Sequence, residues 1–186
     1  MADEWQRHHV VTKVVEAVDA LYDVQRGVAI LRDSELDLSD TLHRNAMRMA
    51  LEGLTDHDAD RRDLAVSALG DLLRGAAFDD RSAPPVVELL VRVAVHEPVT
   101  TVRESALNSI SEAFQHHSVA LTTVRPLAAA MPTMESELLA CTLYIFGATH
   151  DPRACPLIDP FLGHPDRDVR EEAERAKAEI TASGRG

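Results

Sequence analysis

Lysine is nearly missing from this chain: of 186 residues, only Lys13 and Lys177 are lysines. Lysine and arginine together number 19 against 31 aspartates and glutamates, a formal net charge of −12 with no basic cluster anywhere. Proteins that grip phosphates need clustered cations, so DNA, RNA and anionic membrane surfaces are excluded as expected partners. Aromatic residues are 4% of the chain, too few to anchor a compact β core. Two cysteines, Cys141 and Cys155, cannot build a disulfide framework and suit a reducing, cytoplasmic setting. No apolar run reaches 18 residues and the opening MADEWQRHHV is polar, so neither a spanning helix nor a secretory signal is expected. Proline is absent before Pro84, while all nine prolines fall at or after it. The first half can therefore run in long helices and the second must be cut into shorter ones.

What is present is helical periodicity. Val10, Val14, Val18, Leu21, Val24, Val28 and Leu31 recur every three or four residues and predict a helix over about 5–33, with Gly27 as a point where it bends or breaks. A turn at 34–40, with Ser39 or Asp40 as N-cap, leads to a helix over 41–54 with Leu42, Ala46, Met49 and Leu54 inward. The next, over 60–74, turns Leu64, Ala65, Ala68, Leu69 and Leu72 inward, and Gly75 takes the residue after its end. Pro84 and Pro85 suit the first turn of a helix reaching 95. Further helices follow over 100–115, within 119–131 around Pro126, and over 134–148, 153–162 and 166–181. No period-two alternation appears, and the expected fold class is all-α.

A fixed period underlies these helices. VRESALNSI (102–110) and VREEAERAK (169–177) share Val, Arg, Glu and Ala in the same slots, RRDLAVSAL (61–69) fits with Arg62, Asp63 and Ala65, and SELLACTLY (136–144) fits through Ala140. The small residue recurs at Ala65, Ala106, Ala140 and Ala173, each in a helix preceded by a shorter one. One two-helix unit per repeat is the arithmetic of an α-solenoid. Alanine at mid-helix permits a close approach, and Arg62, Arg103 and Arg170 are placed to reach a carbonyl or Asp in a turn and bridge neighbouring units.

The stretch Gly147-Ala148-Thr149-His150-Asp151-Pro152-Arg153-Ala154, followed by His164-Pro165-Asp166-Arg167-Asp168-Val169-Arg170-Glu171-Glu172-Ala173, resembles HEAT repeats of the short bacterial kind also seen in phycobilin lyases. It departs from that pattern by Ala-Thr-His inserted before Asp151-Pro152. The resemblance is fullest over 134–181, fair over 84–115 and faint over 40–75. It implies an α-α superhelix of about four hairpins (40–75, 84–115, 119–148 and 153–181). Residues 1–38 would form an N-terminal capping helix and 182–186 a flexible tail. It also implies a concave face of second helices used to grip another protein, and no particular substrate.

Chemistry-bearing patterns are few. His57-Asp58, His96-Glu97 and His150-Asp151 stand in turns. In the HEAT-type di-iron hydroxylases, His-Glu pairs lie inside the second helix. The equivalent pairs here, Asp63-Leu64, Glu104-Ser105 and Glu171-Glu172, contain no histidine. No Gly-x-Ser-x-Gly, glycine-rich phosphate loop or Cys-x-x-Cys occurs. The expectation is a non-enzyme without metal or cofactor. With the alanine stripe inward, the residues left for a partner are Asp63, Ser67, Asp71, Glu104, Asn108, Glu112, Glu137, Thr142, Glu171 and Glu174, with the rings of Tyr144 and Phe146 as a second candidate and an exposed Phe146 as its aromatic anchor. An acidic face steers a basic protein partner. The readings are an interaction module, an immunity-type protein that neutralises a basic, nuclease-like toxin, or a lyase or hydroxylase on the same scaffold.

Overall fold

The computed structural model describes residues 24–29, 31, 41–75 and 78–183. Among them every regular element is helical. The α-helices are α1 (Thr41–Gly53), α2 (Ala59–Arg74), α3 (Ala83–His96), α4 (Thr100–His116), α5 (Leu121–Val124), α6 (Leu127–Ala130), α7 (Ser136–Ala148), α8 (Cys155–Ile158) and α9 (Arg167–Ser183). Short 3₁₀ turns at Met131–Thr133, Pro152–Ala154 and Asp159–Phe161 fill the proline-rich connections. The expected N-cap at Ser39 or Asp40, the stripe from Val10 to Leu21 and the terminal residues 184–186 lie outside the described residues.

The second half is cut where its prolines predict. Pro84 sits in the first turn of α3, where a missing amide costs nothing. Pro126 and Pro132 divide the segment before α7 into α5, α6 and a 3₁₀ turn. Gly75 does not take the left-handed turn expected of it; its φ is −80° and the backbone leaves α2 extended. The left-handed residue is instead His150 (φ 52°), within the Ala-Thr-His stretch that departs from the repeat pattern. Its imidazole Nδ1 lies 3.0 Å from the Ser183 hydroxyl of α9.

Each long helix packs on the one that follows in the series α2, α4, α7, α9. The shorter leading segments pack on their flank: α1 on α2, α3 on α4, α5 on α7 and α8 on α9. Helix α3 buries Val86, Val87, Leu89, Leu90, Val91, Val93 and Ala94, which takes up nearly its whole circumference. Residues 24–29 and 31 supply one of its covers. Val24, Val28 and Leu31 are buried, and a Cβ on Gly27 would lie 2.9 Å from Leu89.

The long helices meet through small residues. A Cβ added to Gly70 of α2 would fall 2.5 Å from the Ser109 hydroxyl of α4, and one on Gly147 of α7 would fall 2.8 Å from the Ala176 Cα of α9. Between α4 and α7 the contact is Ser111 Oγ to Cys141 Sγ, 3.4 Å. Side chains of this size let the backbones approach while larger neighbours interlock around them.

Of the expected anchor alanines, Ala65, Ala106 and Ala173 are buried, but Ala140 is only half-buried. Helix α7 turns Leu138, Thr142, Leu143, Ile145 and Phe146 inward, so Thr142 takes the place that Ala106 holds in α4. A two-residue shift rotates a helix by about 200°. The phase was hidden because α7 is apolar nearly all round and has no polar stripe to mark its outer side. In α1 the core takes Met47, Ala50 and Leu51, with Leu54 just past its end, while Leu42 and Met49 point out, as does Leu64 of α2.

Turn chemistry uses much of the acidic surplus. The carboxylates of Asp56, Asp58, Asp151 and Asp166 each accept from the amide two residues on, and Asp79 accepts from Arg81 and Ser82. Hydrogen bonds to the charged form hold Asp56, Asp79, Asp151 and Asp166 below the ordinary carboxylate range. The three arginines divide in role. Arg62 donates to Glu97, 35 residues on, at 2.8 and 3.0 Å and to the carbonyls of Asp56 and His57, so it joins two successive turns. Arg103 and Arg170 close their own hairpins, on the Ala94 carbonyl and on those of His164 and Pro165. Bridging between units is thus carried by Arg62 and not by the other two.

Two stability predictions follow from this packing. Gly147→Ala pushes a methyl into the backbone of α9 and lowers stability by about 1–3 kcal/mol despite its better helix propensity. Gly163→Ala, with nothing within 4 Å, leaves the urea midpoint near wild type. Arg62 and Glu97 are largely buried, with side chains 14% and 8% exposed. Arg62→Ala therefore leaves the Glu97 carboxylate with the Val99 amide but without its cation and costs about 1.5–3 kcal/mol. Arg103→Ala, which forfeits one hydrogen bond, costs about 1 kcal/mol in the same urea titration.

Candidate functional site

The outer sides of α2, α4, α7 and α9 adjoin because the helices pack in that order. Of the residues expected to serve a partner, Ser67, Asp71, Glu104, Asn108 and Glu137 are exposed, while Asp63 and Glu112 are half-exposed. Asp63 lies nearer the core than expected: its Oδ1 is buried and has no hydrogen-bond partner. Thr142 and Phe146 are fully buried, and neither can meet a partner. Thr142 donates its hydroxyl to the Leu138 carbonyl at 2.8 Å, one turn back. Phe146 is among the largest enclosed side chains of the core.

The rotation that buries those two brings out Tyr144, which is 36% exposed. Its hydroxyl feels Glu179, Glu112 and Glu172, from the helices on either side. Partial burial first, and then these carboxylates, raise the phenol above its ordinary value of 10.0. Cys141, one turn away, lies 3.9 Å from the Asn108 side-chain oxygen and 3.4 Å from the Ser111 hydroxyl. Burial pushes its thiol up, Ser111 opposes this, and Glu172 and Glu104 add to it. A thiol held in its neutral form is a poor nucleophile.

The face is less uniformly negative than the sequence implies. Arg74 of α2 lies 3.4 Å from Asp71 and 3.5 Å from Glu112, tying α2 to α4 across the surface. On α9, Arg175 pairs with Glu172 at 2.8 Å. Burial nevertheless raises Glu172 above the usual carboxylate range, Arg175 countering it and Glu179 reinforcing it. Glu171 is engaged by Arg167 at 2.6 Å. Glu104, Glu137 and Glu174 remain exposed.

Among the described residues, no three His, Cys, Asp or Glu side chains converge to hold a metal ion. His57 stands beside Asp56 at the surface, 3.0 Å away, and His117 places Nε2 2.7 Å from the Leu73 carbonyl at the end of α2. The His117 contact is structural: it ties the C-terminal ends of α2 and α4 together. Among the described residues, no helix is long and apolar enough to cross a membrane.

Sequence reasoning named Tyr144 beside Phe146 as a ring left for a partner but took Phe146 as the anchor, and it missed the two neutralising arginines. Tyr144 sits two residues from Thr142, so the signal lay in the phase of α7. Arg74 follows Asp71 by three, an i,i+3 spacing that places it on the same side of α2. No family model matches the sequence, and no curated protein matches it.

The geometry around Tyr144 has a spectroscopic consequence. The chain has two tyrosines, Tyr22 and Tyr144. In a Tyr22→Phe variant, the tyrosinate absorbance of the folded protein rises with a midpoint above 10.0, and the midpoint returns to about 10 in denaturing urea. Since the folded state favours the neutral phenol, Tyr144 opposes folding progressively as pH rises beyond 10.

Proposed function

We propose that this chain is a non-enzymatic helical-repeat module of the HEAT-like kind that binds a protein with a basic surface. The binding surface is the joint outer face of α2, α4, α7 and α9. One observation carries the reading: an exposed aromatic, Tyr144, lies within a continuous surface supplied by successive helices, flanked by Glu112, Glu172 and Glu179. A tyrosine offers a large rigid contact with one polar end, and an arginine or lysine of the partner stacks on its ring while pairing with the carboxylates. Glu104, Asn108 and Asp71 extend the surface.

Support also comes from the packing. The step from each long helix to the next is made by the same kind of contact, small side chain on small side chain, as expected for stacked two-helix units. Such a stack presents its second helices side by side and turns successive short polar segments into one extended recognition surface.

The test is capture from native cell extract on immobilised wild-type protein and on a Glu104→Lys, Glu112→Lys, Tyr144→Ala variant. Wild type retains a basic protein whose association slows at least about tenfold when salt is raised from low to physiological strength. The variant loses it while keeping its helical circular dichroism and melting temperature. Equal capture by both proteins would overturn the proposed surface.

A further inference from the structure

The row of long helices ends differently at its two extremes. At the α9 end the outer side carries Glu174, Arg175, Ala178 and Glu179, a polar termination. At the α1–α2 end the surface is apolar. Ala46, Met49 and Gly53 of α1 and Leu64, Ala65 and Ala68 of α2 line an open groove of about 620 Å³. Met49 is 64% exposed and Leu64 is 71% exposed. Their spacing, three and four residues apart along both helices, makes a stripe of the kind that helices normally bury.

We propose that a second copy of this chain covers this face, with α1 and α2 of both copies forming a four-helix seam about a two-fold axis. The charges at the groove point to that occupant. A two-fold contact sets a surface against itself, so its rim must carry both signs. Here Arg48 and Arg61 stand with Glu52 and Asp56, two cations against two anions, arranged as Arg48–Glu52 and Arg61–Asp56 pairs at 3.1 and 3.2 Å. Helix α1 as a whole carries Arg44 and Arg48 against Glu52 alone, in a chain whose net charge is −12. Two copies meeting through α4 and α9 would bring carboxylate onto carboxylate; meeting through α1 and α2 they do not. The small residues Ala46, Gly53, Ala65 and Ala68 form the floor that receives Met49 and Leu64 of the other copy.

The expected strength follows from size. At 1.5 Å per residue, helices of 13 and 16 residues are about 20 and 24 Å long, and side by side they present roughly 400 Å² per copy. That lies below the area of stable dimers, so association is weak and reversible.

Sedimentation equilibrium on the full chain tests this, with the monomer giving way to dimer between about 1 and about 100 μM. Leu64→Glu and Met49→Glu, both at exposed positions, raise the dissociation constant at least about tenfold each without altering the melting temperature of the monomer. Because the rim is balanced, salt changes the constant little. A chain that stays monomeric to about 100 μM overturns the proposal. If Leu64→Glu then lowers its melting temperature, the chain's own N-terminal residues cover the groove; if not, the groove serves a different protein. Dimers that persist in both variants, or assemblies that grow past the dimer, overturn it as well. This outcome is distinguishable from capture at the Tyr144 face, whose substituted residues Glu104, Glu112 and Tyr144 lie on α4 and α7.

Discussion

Close approach between consecutive long helices is the constraint on which the structure depends. At Gly70 against Ser109 and at Gly147 against Ala176 there is no room for a further carbon. Between α4 and α7, Ser111 and Cys141 keep the contact similarly slim. When backbones come this near, the larger residues beside them interlock: Leu69 and Leu73 on α2, Leu107 and Ile110 on α4, Leu143 and Phe146 on α7 are all fully enclosed. The direction of the row, and hence the adjacency of the outer faces, follows from these few slots.

The turns hold the row in register by a different means. Aspartates at the helix starts accept backbone amides two residues on, and arginines cap carbonyls or, in the case of Arg62, reach across to Glu97. Charge is therefore spent locally before any is left for a partner. This explains why a chain of −12 presents a face on which Arg74 and Arg175 sit among the carboxylates. What remains distinctive there is an aromatic ring with acidic neighbours on both flanks, the feature on which the proposed binding surface rests.

The two ends of the row have different physical characters. Helix α9 closes one end with charged residues, whereas α1 and α2 leave Met49 and Leu64 to solvent at the other. A row of stacked units has no intrinsic stop, so each end needs either polar residues or a covering partner. One end has the first, and the balanced charges of the other suit a copy of itself.

Helix content, the proline-imposed breaks and the inward placement of Ala65, Ala106 and Ala173 could be read from the sequence because each is a local property. Proline geometry and amphipathic period act within one helix and need no neighbour. The expected contrast between long helices before Pro84 and shorter ones after it does not hold among the described residues, where α1 and α2 have 13 and 16 residues and α4 and α9 have 17 each, because the prolines fall in the connections and first turns. The phase of α7 could not be read, since LLACTLYIFGA is apolar on every side and any rotation buries about the same surface. Only contact with α4 and α9 selected the rotation that encloses Thr142 and Phe146 and leaves Tyr144 outside. Likewise α1 carries two apolar stripes, and packing on α2 buries Met47, Ala50 and Leu51 while Leu42 and Met49 stay outside. Local sequence thus determined which segments are helical and where they stop, while tertiary packing decided which side of an ambiguous helix faces water, because burial energy alone is indifferent to rotation when every side is apolar.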